Sequence, residues 1–108
     1  MGFQVTGQNG EELYYSGWTW RPLTTATRIA CGTRIPLEDH RAILANDGAR
    51  LTREQCEVMG LSLTSWLCRM PALAEFALEE MPHAYHVNRE QMTDWAGFLC
   101  RCGGLEVW

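Results

Sequence analysis

Thr52 followed by Gln55 opens the longest amphipathic segment of the chain, and this segment constrains the fold more than any other. A threonine with a glutamine three residues on can cap a helix reciprocally, each side chain bonding the other's backbone N–H. Cys56, Met59, Leu63, Trp66, Leu67 and Met70 follow at helical spacing, and Pro71 closes the run. Such a helix carries one apolar stripe that must be buried against another element. With 108 residues the chain has room for one core of that kind, not two.

What packs on that stripe is legible on either side of it. Phe3, Val5 and the 13–15 run flank Gln8-Asn9-Gly10, the strongest short signal for a β-hairpin over 3–16. Gly17 ends the second strand, and Trp18-Thr19-Trp20 keeps both indoles on one face if it stays extended. Arg21-Pro22 reads as the first turn of a helix, with Leu23, Ala26, Ile29 and Ala30 inward and Gly32 as its C-cap. Pro36 and Asn46-Asp47-Gly48 mark turns, so 33–51 reads as mostly irregular, with a short buried piece at 42–45.

Past the central helix, Pro71 can start another, with Leu73, Phe76 and Ala77 inward and Glu75, Glu79 and Glu80 outward, ending at Pro82. A short strand at 83–87 follows. Asn88 and Gln91 repeat the capping pattern, Met92, Trp95, Phe98, Leu99 and Cys102 form an inward face, and Gly103-Gly104 stops that helix. Leu105 and Val107 alternate with Glu106 and Trp108 as a last strand, which could be a sheet edge open to pairing in a homodimer. The expected fold class is α+β. A small antiparallel or mixed sheet, built from the N-terminal hairpin and C-terminal strands, packs against about four helices in one domain over 1–108.

Charge and cysteine content narrow the function classes. Thirteen acids against nine bases leave a net charge of −4 and a pI near 5.3, which argues against direct nucleic-acid binding. The balance is uneven: residues 21–53 carry six arginines against three acids, and 54–108 carry eight acids against three arginines. All nine bases are arginine, for which the base composition of a GC-rich genome is the first explanation and the residue's suitability for bidentate and stacked contacts the second. The longest uncharged stretch, 58–68, is too short to cross a bilayer, and no signal-peptide pattern opens the chain. Five cysteines, an odd number, then fit reduced thiols in a cytoplasmic setting.

Candidate chemistry is sparse. His83, His86, Cys100 and Cys102 supply four zinc-type donors, but both spacings are tighter than those of common structural zinc sites, and in a strand His83 and His86 point to opposite faces. A zinc-supported domain is therefore the alternative, and no metal or other cofactor is the expectation. No nucleophile elbow, metalloprotease motif or phosphate-binding glycine loop is present, so an enzyme would need an unrecognised site. Glu75, Glu79 and Glu80 read as a solvated face that could dock a basic partner.

Tryptophan stands out: five in 108 residues. Trp66 and Trp95 fall on core stripes. Tyr14, Tyr15, Trp18, Trp20 and Arg21 form the candidate partner-binding patch, because exposed aromatics and arginine anchor protein interfaces. The competing reading is that the indoles cover the sheet's own core.

Gly17-Trp18-Thr19-Trp20-Arg21-Pro22-Leu23 after a hairpin, with Asn46-Asp47-Gly48 downstream, resembles small phage and prophage proteins of high-GC bacteria. The ending Phe98-Leu99-Cys100-Arg101-Cys102-Gly103-Gly104-Leu105-Glu106-Val107 is similar to endings in the same group, where Cys102 recurs and Cys100 does not. Together these segments span about a fifth of the chain, and the group brings no assigned activity with it. The resemblance implies a non-enzymatic inhibitor that binds and blocks a host defence complex such as a CRISPR–Cas effector, in the manner of anti-CRISPR proteins.

Overall fold

In the computed structural model, which describes residues 2–45, 48–69 and 89–108, the reciprocal cap forms as its sequence requires. Thr52 Oγ1 accepts from the Gln55 N–H at 3.2 Å, and Gln55 Oε1 accepts from the Thr52 N–H at 2.9 Å. The fold is α+β. Among the described residues the chain runs β1 (Gly2–Gly7), β2 (Glu12–Ser16), α1 (Gly17–Cys31), α2 (Leu37–Ala42), β3 (Ala49–Thr52), α3 (Arg53–Arg69), α4 (Arg89–Arg101) and β4 (Gly104–Val107). The helix expected between Pro71 and Pro82, the strand expected at 83–87 and the residues Glu75, Glu79, Glu80, His83, His86 and Asn88 lie outside the described residues.

The four strands form one antiparallel sheet in the order β2-β1-β4-β3. β4 is therefore central, not the edge that its place in the sequence suggested. Val107 pairs with Val5 on one side and Ala49 on the other, so both of its flanks are occupied. β2 and β3 are the edges. The hairpin turn is tied down from outside by Arg101 of α4, which grips Glu11 through Nε at 2.6 Å and Nη2 at 2.9 Å.

One face of the sheet meets the helices. Val5, Leu51, Leu105 and Val107 point into the core, and Phe3, Leu13, Tyr15 and Ala49 pack against its margin. Opposite them lie Trp20, Leu23 and Ala26 of α1, Cys56, Met59, Leu63, Trp66 and Leu67 of α3, and Met92, Trp95, Phe98 and Leu99 of α4. Trp20 and Trp95 meet edge to face at 5.2 Å, Phe3 and Tyr15 stack on Trp20, and Phe98 stacks on Trp95. Such pairs add roughly 0.5–1.5 kcal/mol each beyond the area they bury. Gly60 lets α3 and α4 touch: a Cβ there would stand 2.6 Å from Cys100 Sγ and 2.9 Å from the Ala96 carbonyl oxygen.

Three local expectations change. The helix expected to start at Arg21 starts at Gly17, because the Ser16 hydroxyl accepts from the Thr19 N–H at 3.3 Å and caps it there. Pro22 consequently sits inside the helix, unable to donate to the Trp18 carbonyl. The stretch read as irregular holds α2 and β3, with only Ile43 of 42–45 buried. Short elements of this kind carry too few periodic positions to be seen locally; packing against α1 and pairing with β4 create them. By contrast, Gly32 caps α1 as its position suggests, donating its N–H to the Arg28 carbonyl at 3.1 Å.

Candidate functional site

The early cap on α1 decides the fate of the aromatic patch. In an extended segment Trp18 and Trp20 would share a face, but in a helix two residues are about 200° apart. Trp18 is accordingly 52% exposed, and Trp20 is fully buried. Tyr15 faces the core against Trp20 and Trp95, where burial pushes its hydroxyl up to about 12. Tyr14 faces the other way, at 70% exposure, and Arg21 lies on the outer side of α1. The five residues therefore do not form one surface: Tyr15 and Trp20 hold the core together, while Tyr14, Trp18 and Arg21 face outward.

A different aromatic surface appears on the side of the sheet turned away from the helices. Strand pairing sets Tyr14 beside Gln4, and Gln4 and Trp108 exchange both backbone hydrogen bonds, at 2.9 and 2.7 Å. Tyr14 and Trp108 thus flank Gln4 in one row, about 10 Å apart by strand spacing. The neighbouring row runs Glu12, Thr6, Glu106, Arg50. Each aromatic is linked to the glutamate two residues before it on the same face. The Tyr14 hydroxyl donates to Glu12 Oε2 at 3.4 Å, and the Trp108 indole donates to Glu106 Oε2 at 2.8 Å. Arg50 pairs with Glu106 from β3.

Trp108 holds its place because Gly48 gives it room. The ring lies where a Gly48 side chain would be, 2.9 Å from a Cβ built there, and Gly48 has φ +89°. Sequence reasoning passed over Trp108 as a site residue. Its alternation with Val107 signalled an outward side chain, but only the pairing of β4 with β1 brings it alongside Tyr14.

The cysteines sort by burial rather than by motif. Cys31, Cys56 and Cys102 are buried, and Cys68 and Cys100 are exposed. Cys102 packs in the core beside Cys56, with its thiol directed to the Leu99 carbonyl at 3.7 Å. The hydrogen bond between the two thiols, together with burial, pushes Cys56 up. Cys100 lies against Gly60 at the exposed margin of the contact between α3 and α4. The two cysteines of the C-x-C pair thus have separate surroundings. Among the described residues no group of three or more His, Cys, Asp or Glu could hold a metal ion.

A cavity of about 370 Å³ lies between α1 and α2, lined in part by Arg28, His40 and Arg41. No helix among the described residues is long and apolar enough to cross a membrane. No family model, curated protein or solved structure matches the chain.

Proposed function

We propose that this protein is a non-enzymatic binding protein that docks the open face of its sheet onto a basic protein surface and blocks it. The observation that carries this reading is the row of two exposed aromatics, Tyr14 and Trp108, each bound to an adjacent glutamate. Flat rings supply contact area at small entropic cost, and Glu12, which lies outside the Arg50–Glu106 pair, favours a partner rich in arginine or lysine. The net charge of −4 draws such a partner in from a distance.

The resemblance to small phage proteins supplies the setting: a phage-derived inhibitor of a host defence complex, acting on a CRISPR–Cas effector subunit whose basic surface handles nucleic acid. Such surfaces are built to bind phosphate, so an acidic, aromatic face competes for them. In this reading the chain acts in the host cytoplasm, needs no cofactor and leaves nucleic acid and membrane untouched.

The test uses purified effector complex and the full chain. The wild type should bind the complex, as measured by calorimetry, and should inhibit target cleavage measured in parallel. Tyr14→Ala combined with Trp108→Ala should weaken binding by about 2–4 kcal/mol with an unchanged circular dichroism spectrum. Unaltered binding by the double variant would sink the sheet-face reading, and no binding to any effector complex would sink the proposed target.

A further inference from the structure

His40 is 3% exposed, and neither ring nitrogen has a hydrogen-bond partner in the protein. An imidazole carries one donor and one acceptor when neutral and two donors when charged. Burying either form unpaired is costly, and buried polar atoms left without a partner call for a specific explanation. The ring forms part of the wall of the cavity between α1 and α2.

The rest of the wall is equally specific. Arg28 from the last turn of α1 and Arg41 from α2 both line the cavity, and among the described residues neither forms an ion pair. The nearest acid in sequence, Asp39, is engaged elsewhere, accepting a 3.0 Å hydrogen bond from Gln55 Nε2. Thr24 and Thr25 add two hydroxyls, each donating to the Arg21 carbonyl and so presenting oxygens that can still accept. Leu37 and Leu44 complete an apolar lip. A volume of about 370 Å³ is within the range of small-molecule sites.

We propose that this cavity binds a small phosphate monoester carrying hydroxyl groups, of the sugar-phosphate class. The two guanidiniums take the phosphate, whose charge of about −2 they match and whose oxygens suit their planar forks. The phosphate favours the charged, two-donor form of His40, and the Thr24 and Thr25 oxygens accept from the hydroxyls of a sugar. Two of the six arginines of 21–53, Arg28 and Arg41, meet in this site. The cavity is separate from the sheet face assigned to protein docking, so either assignment can fail without the other.

The experiment is a titration of the full-length protein with ribose 5-phosphate, inorganic phosphate and a single-stranded oligonucleotide at equal phosphate concentration, read by the His40 ring resonances and by calorimetry. The expected result is saturable binding of ribose 5-phosphate that shifts the His40 signals, with weaker binding of inorganic phosphate. Arg28→Gln and Arg41→Gln, both at exposed positions, should each weaken it about tenfold or more while leaving the dichroism spectrum unchanged. Arg53→Gln, which removes a surface pair with Glu57, should bind as the wild type does. No saturable shift of His40 at millimolar ligand would overturn the proposal, as would Arg28→Gln and Arg41→Gln variants that bind normally. Equal affinity for inorganic phosphate would remove the sugar from it, and tighter binding of the oligonucleotide would reassign the site to nucleic acid.

Discussion

The indole Nε1 of Trp20 donates a 2.9 Å hydrogen bond to the carbonyl oxygen of Ile43, and both residues are fully buried. This bond ties the core of α1 to the residue that closes α2, and so holds the two walls of the His40 cavity together. Trp20→Phe keeps an aromatic ring against Phe3 and Tyr15 but strands the Ile43 carbonyl. The expected cost is about 1–3 kcal/mol for the unsatisfied carbonyl, read as a lower urea midpoint, with weaker ribose 5-phosphate binding alongside. Full stability in this variant would show that α2 is held by other contacts.

The second buried indole makes a relay. Trp95 Nε1 donates to Thr27 Oγ1 at 3.0 Å, and that hydroxyl donates to the Leu23 carbonyl at 2.8 Å. Thr27→Val orphans the indole N–H, so it should cost about 1–3 kcal/mol. In Trp95→Phe/Thr27→Val the orphan is gone, and the two losses should sum to more than the double variant shows. Simple additivity in a denaturation cycle would mean that the hydrogen bond contributes nothing measurable.

His40 also predicts a pH dependence with a definite sign. Burial holds its imidazole below the ordinary value of 6.5, Arg28 adds to that, and Asp39 opposes it. The unfolded chain therefore takes up the proton first. Stability is fully present above pH 6.5 and falls as pH drops from there toward the folded pKa, where the slope ends. His40→Gln should flatten this part of the profile relative to wild type, as followed by urea midpoints across the window. A bound phosphate reverses the cause, since an anion beside the ring favours its charged form, so saturating ribose 5-phosphate should also reduce the slope.

Gly48→Ala strikes the sheet face and not the cavity. The new Cβ meets the Trp108 ring in a backbone conformation that L side chains rarely adopt. The expected outcome is a loss of about 1–2 kcal/mol or more in stability, with a red shift of the Trp108 fluorescence. An unchanged emission spectrum would show that Trp108 is not seated there.

Thiol reactivity checks the core assignment independently. Native protein treated with iodoacetamide should be modified at Cys68 and Cys100, and Cys31, Cys56 and Cys102 should react only after denaturation. Native-state labelling of Cys102, identified by peptide mass, would contradict its place beside Cys56.

Features set by neighbours along the chain were legible in the sequence. The Thr52/Gln55 cap, the stripe from Cys56 to Leu67, the inward face of α4 and the hairpin around Asn9-Gly10 each depend on residues a few positions apart. Backbone bonding and side-chain periodicity act at that range. Even the outward direction of Trp108 was present in its alternation with Val107.

What needed the tertiary structure involves partners far away in the chain. The Ser16 cap is a local exception that the sequence reading missed, and it turned Trp18 out and Trp20 in; the acceptor that Trp20 then met, Ile43, is 23 residues away. β4 became a central strand because β1 and β3 flank it, and that placement alone sets Trp108 beside Tyr14 across Gln4. His40 and Arg41 in a stretch without strong periodicity carried no signal until α2 packed on α1 and met Arg28 across a cavity. The sequence by itself determined which segments are helix or strand and which faces seek burial, because those follow from local bonding and periodicity. Only the tertiary structure decided which polar and aromatic groups share a surface, because that depends on packing between segments that the chain's order does not place side by side.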